Sequence, residues 1–240
     1  MKLGDLDFEK YWNNPHQKLS KYKIRAERVR KNFPEVEHCG SESEPESTLW
    51  LSSLSSAMEK NFDDGLVILD YGCGIGRYAD FVNSRIKKFK YFGVEKANSE
   101  NEHGENCLKF AREIYGYNRK IKFGMIDTKF EKKAIKISNV SVLGSVFTHL
   151  DALEIKKILT KLMPIVKTNQ GKIVFSAFIA ETFKTEGPGI YGFENVYHRS
   201  YITQQFINDL EKDFEVKIEA KEDFLAQGEN LHTIFSVEDR

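Results

Sequence analysis

The chain has 240 residues, with 36 Lys and Arg against 36 Asp and Glu, so its formal net charge at pH 7 is zero. A 40% hydrophobic share with 12% aromatic residues fills a sizeable core and excludes a wholly disordered chain, and the length fits one domain or at most two very small ones. Balanced charge disfavours a protein whose main task is holding nucleic acid, because that task takes a basic excess.

The first residues, MKLGDLDFEKYW, carry Asp5, Asp7 and Glu9 and no apolar run, which is unlike a signal peptide. No stretch of ~18 apolar residues follows, so no membrane partner and a cytoplasmic location are expected. Cys39, Cys73 and Cys107 are odd in number, widely spaced and in no CxxC pair, and read as reduced thiols. No HExxH or Cys/His cluster is present, so no protein-ligated metal is expected.

Leu19, Tyr22, Ala26, Val29 and Phe33 recur at intervals of three and four, which predicts a helix over 19–33. Lys21, Lys23, Arg25, Arg28, Arg30 and Lys31 fill the rest of its surface as a solvated face. The polar, acidic run SESEPEST (41–48) reads as a linker, and a second helix is expected from Leu49 to Asn61. Residues 1–64 are thus expected to form a helical N-terminal cap, in which Tyr11 and Trp12 either anchor onto the sheet or line the mouth of the ligand site.

From Leu66 the pattern changes. VILD (67–70), KYFGVE (90–95), IKFGMID (121–127), VSVLGS (140–145) and KIVFSAF (172–178) are short apolar runs bounded by Gly, charge or turn residues, as strands buried on both faces should be. Helical stretches lie between most of them. The clearest runs from Asp151 to Met163, with Asp151 placed to cap it, Glu154 to bond back, and Pro164 to limit its extent. Strand–helix alternation implies parallel strands joined by right-handed crossovers. A long non-periodic stretch, 179–200, reads as a lid-like insertion. A helix over 203–212 follows, then FEVKIEA (214–220) and LHTIFSV (231–237), joined by a short turn at 227–230 into an antiparallel hairpin edge.

Residues 67–78 read VILDYGCGIGRY. A buried strand ends at Asp70, and Gly72, Gly74 and Gly76 precede a helix, so the backbone can approach a ligand closely and the helix N-terminus offers N–H donors. A dinucleotide loop needs G-x-G-x-x-G, whereas here the spacing is G-x-G-x-G with Arg77 next. The carboxylate of Asp70 would repel a pyrophosphate but favour a ligand with an ammonium group, such as S-adenosylmethionine. Glu95 ends the second strand, 21 residues beyond Gly74, where it can accept both hydroxyls of a ribose. Asp127, at the end of the third strand, could accept an adenine amine. The three acids are expected to face one crevice. Each also has a plainer reading: Asp70 as a helix cap, Glu95 as a surface acid, Asp127 as a cap for the turn at Thr128.

The loop LDYGCGIGRY with Glu95 and Asp127 resembles motifs one to three of the class I S-adenosylmethionine-dependent methyltransferases. The resemblance covers roughly 65–240 and implies a Rossmann-like α/β fold: a seven-stranded mixed sheet with helices on both faces and its last strand antiparallel. It implies that Asp70, Gly72, Cys73, Gly74 and Gly76 hold the methionine part, Glu95 the ribose and Asp127 the adenine. The segment from Ser145 to Leu150 is similar to the fourth-strand segment of small-molecule members, which brings Ser145 into the cofactor set. Tyr71 stands at a position where members vary.

Histidines titrate nearest neutrality, so His149, after the fourth strand, and His198, in the insertion among Tyr191, Phe193, Tyr197 and Tyr201, are the candidate bases. His16, His38, His103 and His232 have no comparable location. Lys21, Tyr22 and Arg25 are candidates for the methionine carboxylate. The expected reaction is transfer of the methyl group by in-line displacement to an oxygen, or second to a nitrogen, of a small polar metabolite or glycan unit. Nucleic-acid methylation is disfavoured, since LGSVFTHL lacks an Asn/Asp-Pro-Pro-aromatic motif. The rivals are an NAD-dependent oxidoreductase, an aminopropyltransferase-like enzyme and a non-catalytic S-adenosylmethionine-binding protein.

Overall fold

A computed structural model describes residues 65–96, 102–116, 118–180, 184–186, 199–225 and 231–240. The cap helices expected over 19–33 and 49–61, the residues Tyr11, Trp12, Lys21, Tyr22 and Arg25, the turn at 227–230 and His198 lie outside the described residues.

The β-branched and aromatic run LVILDY forms strand β1 (Leu66–Tyr71). It is followed by β2 (Phe89–Glu95), β3 (Ile121–Met125), β4 (Val140–Leu143) and β5 (Lys172–Ile179). All five are parallel, in the order β3-β2-β1-β4-β5. Their side chains are mostly buried on both faces, which is why the sequence shows them as continuous apolar runs rather than alternating ones. Strand β9 (Leu231–Asp239) runs antiparallel to both β5 and β8 (Val216–Leu225). The expected seven-stranded mixed sheet is therefore present, with one adjustment: β9 lies inside it, and β8 alone forms that edge.

Helices α1 (Arg77–Arg85) and α2 (Glu102–Tyr115) cover one face. There Ala79, Val82, Leu108, Ala111 and Ile114 join Ile68, Tyr91 and Val142 in one apolar core. Helices α3 (Lys129–Ile137), α4 (Ala152–Lys167) and α5 (Gln204–Phe214) cover the other, where Ala134, Ile155, Leu159 and Leu210 join Leu69, Tyr71, Leu143 and Phe175. Strand order reverses between β1 and β4, which opens a crevice at their carboxyl ends.

Two expectations are corrected. Helix α4 does begin with the reciprocal cap, Asp151 Oδ1 accepting from the Glu154 amide at 2.8 Å and Glu154 Oε2 from the Asp151 amide at 3.1 Å. It does not stop at Pro164, however, but continues to Lys167. Burial of Ile165 and Val166 in the core offsets the hydrogen bond that proline cannot donate.

The non-periodic 179–200 stretch is also not simply a loop. It holds β6 (Lys184–Glu186) and the start of β7 (Arg199–Ile202), strands too short to show a period. β4 pairs with β5 only as far as Phe175. β7 takes up the same edge of β5 further on, at Phe178 and Ile179, and the Ala180 amide donates to the Ile202 carbonyl at 2.9 Å. β6 pairs antiparallel to β7, bringing the sheet to nine strands.

Candidate active site

The loop from Gly72 to Gly76 leaves β1 and folds over the end of β2, with the Gly72 and Cys73 amides donating to the Val94 carbonyl at 2.8 and 3.1 Å. All three of its glycines have positive φ, at 76°, 50° and 80°. Neighbouring side chains also press on the outer two: a Cβ on Gly72 would lie 2.6 Å from Val146, and one on Gly76 2.9 Å from Phe123. At Gly74 an added Cβ would meet nothing within 4 Å. Gly76 then precedes α1 with no side chain capping the helix start. The result is a partly buried backbone cradle at a helix N-terminus, reaching solvent at Gly72 and Gly74, the setting in which a polar ligand can meet N–H groups at short range.

Two of the expected acids meet this cradle. Glu95 Oε2 accepts the Gly74 amide at 2.7 Å, and its Oε1 accepts the Lys96 amide at 2.9 Å. Asp70 is only 5% exposed, and its Oδ2 accepts a short hydrogen bond from the Tyr91 hydroxyl. Burial pushes its carboxyl up to about 7; the Tyr91 bond pulls it down in part, and the Glu95 charge adds to the rise. Burial, followed by the Asp70 charge, pushes the Tyr91 phenol well above its usual range. The Cys73 thiol is likewise driven up by burial and then by both acids, so it remains a neutral thiol lining the underside of the loop.

Asp127 does not join them as expected. It lies two residues beyond the end of β3, with φ at 63°, a left-handed conformation that turns it out of the strand's alternation. Its carboxylate, 77% exposed, is 2.5 Å from Lys161 Nζ of α4, on the opposite face of the sheet from α1 and α2. Its amide donates to Glu131 Oε2 at 2.7 Å. The buried Glu131 also faces Tyr71, whose phenol burial and that acid together push up.

Ser145, after β4, holds an unusual φ of 54°. Its amide donates to Ser176 Oγ at 2.9 Å and its carbonyl accepts from Thr148 Oγ1 at 2.7 Å. These two hydrogen bonds hold a non-glycine residue in the left-handed region. His149 closes a short 3-10 turn (Phe147–His149), exposed at the carboxyl edge of the sheet, with its amide on the Val146 carbonyl at 3.2 Å.

Sequence reasoning passed over several residues here. Tyr91 could have been found, since period-two alternation puts 91, 93 and 95 on one face of β2. Phe123, under Gly76 and Gly93, carried no local signal. His232 has a location after all: Tyr201, Phe178 and His232 form a row across β7, β5 and β9, with ring centroids 5.2 and 4.1 Å apart, at the carboxyl end of β5. Among the described residues, no group of three or more His, Cys, Asp or Glu side chains could hold a metal ion, and no helix is long and apolar enough to cross a membrane.

Among solved structures the chain is similar to the N-terminal domain of EvdMO1 crystallised with SAH and D-fucose, at TM-score 0.58 and 11% identity over 89% of this chain and 97% of that one. It is also similar to magnesium protoporphyrin IX methyltransferase (ChlM) of Synechocystis PCC 6803 with bound SAH, at TM-score 0.56 and 13% identity over 92% and 100%. A third is the Burkholderia thailandensis 1,6-didemethyltoxoflavin-N1-methyltransferase with 1,6-didemethyltoxoflavin and S-adenosylhomocysteine, at TM-score 0.60 and 11% identity over 93% of each chain. The fold is that of the class I S-adenosylmethionine-dependent methyltransferases. No family model and no curated protein matches the sequence, so the likeness to methyltransferases lies in the architecture. Within the methyltransferase fold, the glycine cradle, Asp70 and Glu95 occupy the carboxyl edge where strand order reverses.

Proposed function

We propose that the protein is an S-adenosylmethionine-dependent methyltransferase acting on an oxygen of a small polar metabolite or glycan unit, with nitrogen as the second reading. One observation carries the proposal: two carboxylates flank a glycine cradle that is open at Gly74. A pyrophosphate at that place would be repelled by the Glu95 charge and by Asp70 wherever it is ionised, whereas an ammonium-bearing adenosyl ligand suits both. The methyltransferase structures crystallised with bound SAH support the same ligand. The D-fucose in the EvdMO1 crystal supports a sugar-like acceptor, and the N1-methyltransferase supports the nitrogen reading.

In this reading Asp70 faces the ammonium group, and Gly72, Cys73, Gly74 and Gly76 bring backbone to the methionine part. Glu95 takes the ribose hydroxyls by giving up the Gly74 amide, and Ser145 borders the site from β4. Asp127 can take the adenine amine only by releasing Lys161. Bound there, the cofactor supplies a methyl group already activated by a cationic sulfur. The protein's own share is to orient the acceptor and remove a proton. His149, at the acceptor side, receives the proton from an attacking hydroxyl, and His198 is the alternative from the sequence.

Calorimetric titration with S-adenosylhomocysteine, NADH and a polyamine tests the assignment. Saturable binding of S-adenosylhomocysteine alone is expected. Binding of NADH in its place would overturn it. Methyl release in the presence of hydroxylated and amino acceptors then separates an enzyme from a silent binding protein.

A further inference from the structure

The two acids of the cradle are held differently. Glu95 is bonded to backbone amides, whereas Asp70 has lost its water and is held by a phenol. β1 and β2 pair with Ile68 opposite Tyr91 and Asp70 opposite Gly93, so these four residues and Glu95 share the sheet face of α1 and α2. Gly93 has no side chain, and Phe123 and the Cys73 thiol fill the space it leaves. Among the described residues, Tyr91 is the one hydrogen-bond donor to the Asp70 carboxyl. The other titratable groups on this side do not relieve it. The Cys73 thiol of the loop stays neutral, Tyr115 of α2 is a further phenol near Tyr91, and Glu95 adds a second negative charge. Arg112 of α2, whose charge reaches Cys73, donates to the Phe123 carbonyl at 3.3 Å.

We propose that Tyr91 is a positioning residue for cofactor binding, its hydroxyl holding Asp70 ready for the ligand's ammonium group, and that uptake of the ligand expels one proton from Asp70. The proposal rests on the methyltransferase reading of the cradle. Burial holds Asp70 at about 7, so near neutrality much of the empty protein carries it as the neutral acid. An arriving ammonium favours the carboxylate; the Asp70 O–H bond breaks and its proton leaves to water. Tyr91, with its phenol pushed far up, keeps its proton and donates to the new charge.

The test is calorimetric titration of the full chain with S-adenosylhomocysteine between about pH 5.5 and 8.5, in two buffers of different ionisation enthalpy. The Kd should fall about tenfold per pH unit as pH rises towards the Asp70 midpoint and then level off. Close to one proton should be released per ligand below the midpoint and none above it. Tyr91→Phe removes the donor that favours the charged form, so its midpoint should move up by about one pH unit or more. A purely structural role would weaken binding equally at every pH and leave the midpoint in place. His149→Gln should leave the midpoint unchanged. Binding without proton release, a midpoint unmoved in Tyr91→Phe, or one abolished in His149→Gln overturns the proposal. Should Tyr91→Phe not fold, the proton count in the unaltered protein decides by itself. No binding at any pH overturns the methyltransferase reading, and this inference with it.

Discussion

Glu95 Oε2 lies 2.7 Å from the amide nitrogen of Gly74, so the acid that closes β2 is bonded to the middle glycine of the loop that follows β1. In the proposed function a ribose displaces that bond, and the charge on Glu95 would make the exchange favourable. Glu95→Gln keeps the shape and removes the charge. It should weaken S-adenosylhomocysteine binding at least tenfold, since a hydrogen bond to a charged group is worth about 1.5–3 kcal/mol. Calorimetry giving an unchanged Kd would remove Glu95 from the site.

The glycines separate binding from stability. Gly74→Ala puts a methyl group into the space where nothing lies within 4 Å, at φ 50°. It should cost about 1 kcal/mol of stability from backbone strain and most of the cofactor affinity. Gly76→Ala meets Phe123 at 2.9 Å as well as a φ of 80°, so its melting temperature should fall further. Thermal melts with and without S-adenosylhomocysteine read both effects; equal melts for the two variants would contradict the packing argument.

Asp70 is held at about 7 in the fold against 3.8 as a free side chain, so between these values the folded state binds more protons than the unfolded chain. Stability is therefore greatest below about pH 4 as far as this group is concerned, and it is lost as pH rises towards 7. Asp70→Asn should raise the melting temperature of the cofactor-free protein at pH 8, by an amount corresponding to a few kcal/mol, and the gain should vanish near pH 4. The same variant should lose cofactor binding. Melting curves with no pH-dependent difference would show that Asp70 is solvated.

Asp127 offers the contrasting case. Its ion pair with Lys161 is exposed, and such pairs contribute about 0–1 kcal/mol. Asp127→Ala should change both melting temperature and S-adenosylhomocysteine affinity little, by less than about threefold in Kd. A tenfold loss would mean that the carboxylate leaves Lys161 for the adenine when ligand binds.

His149→Gln should lower methyl transfer to a hydroxyl acceptor by about 10²–10⁴-fold while leaving cofactor affinity intact. The loss should be smaller with an amine supplied unprotonated. Full turnover in the variant would move the base to another residue.

Burial on both faces made β1 to β5 legible, because it writes each strand as an unbroken apolar run between turn residues. The reciprocal Asp151–Glu154 cap was legible because three-residue spacing is all it requires. The positions of Asp70 and Glu95 at the carboxyl ends of their strands were legible for the same local reason, although β1 runs one residue further than expected, to Tyr71. Asp127 was not: two residues past β3, its backbone conformation decides where its carboxylate points, and residue order does not carry that. β6 and β7 are hidden because three or four residues contain no period, and the pairing of Tyr201 with Phe178 is purely long-range.

The place of β9 has a consequence for synthesis of the chain. Residues 231–239 enter between β5 and β8, so until they do β5 is paired on one edge only, by β4 and β7, and β8 has no partner among the described strands. A nascent polypeptide that has reached Leu225 already carries the glycine cradle and both acids, yet it presents two rows of unsatisfied backbone groups, a template for aggregation. Both rows are satisfied at once, and only when β9 docks between them.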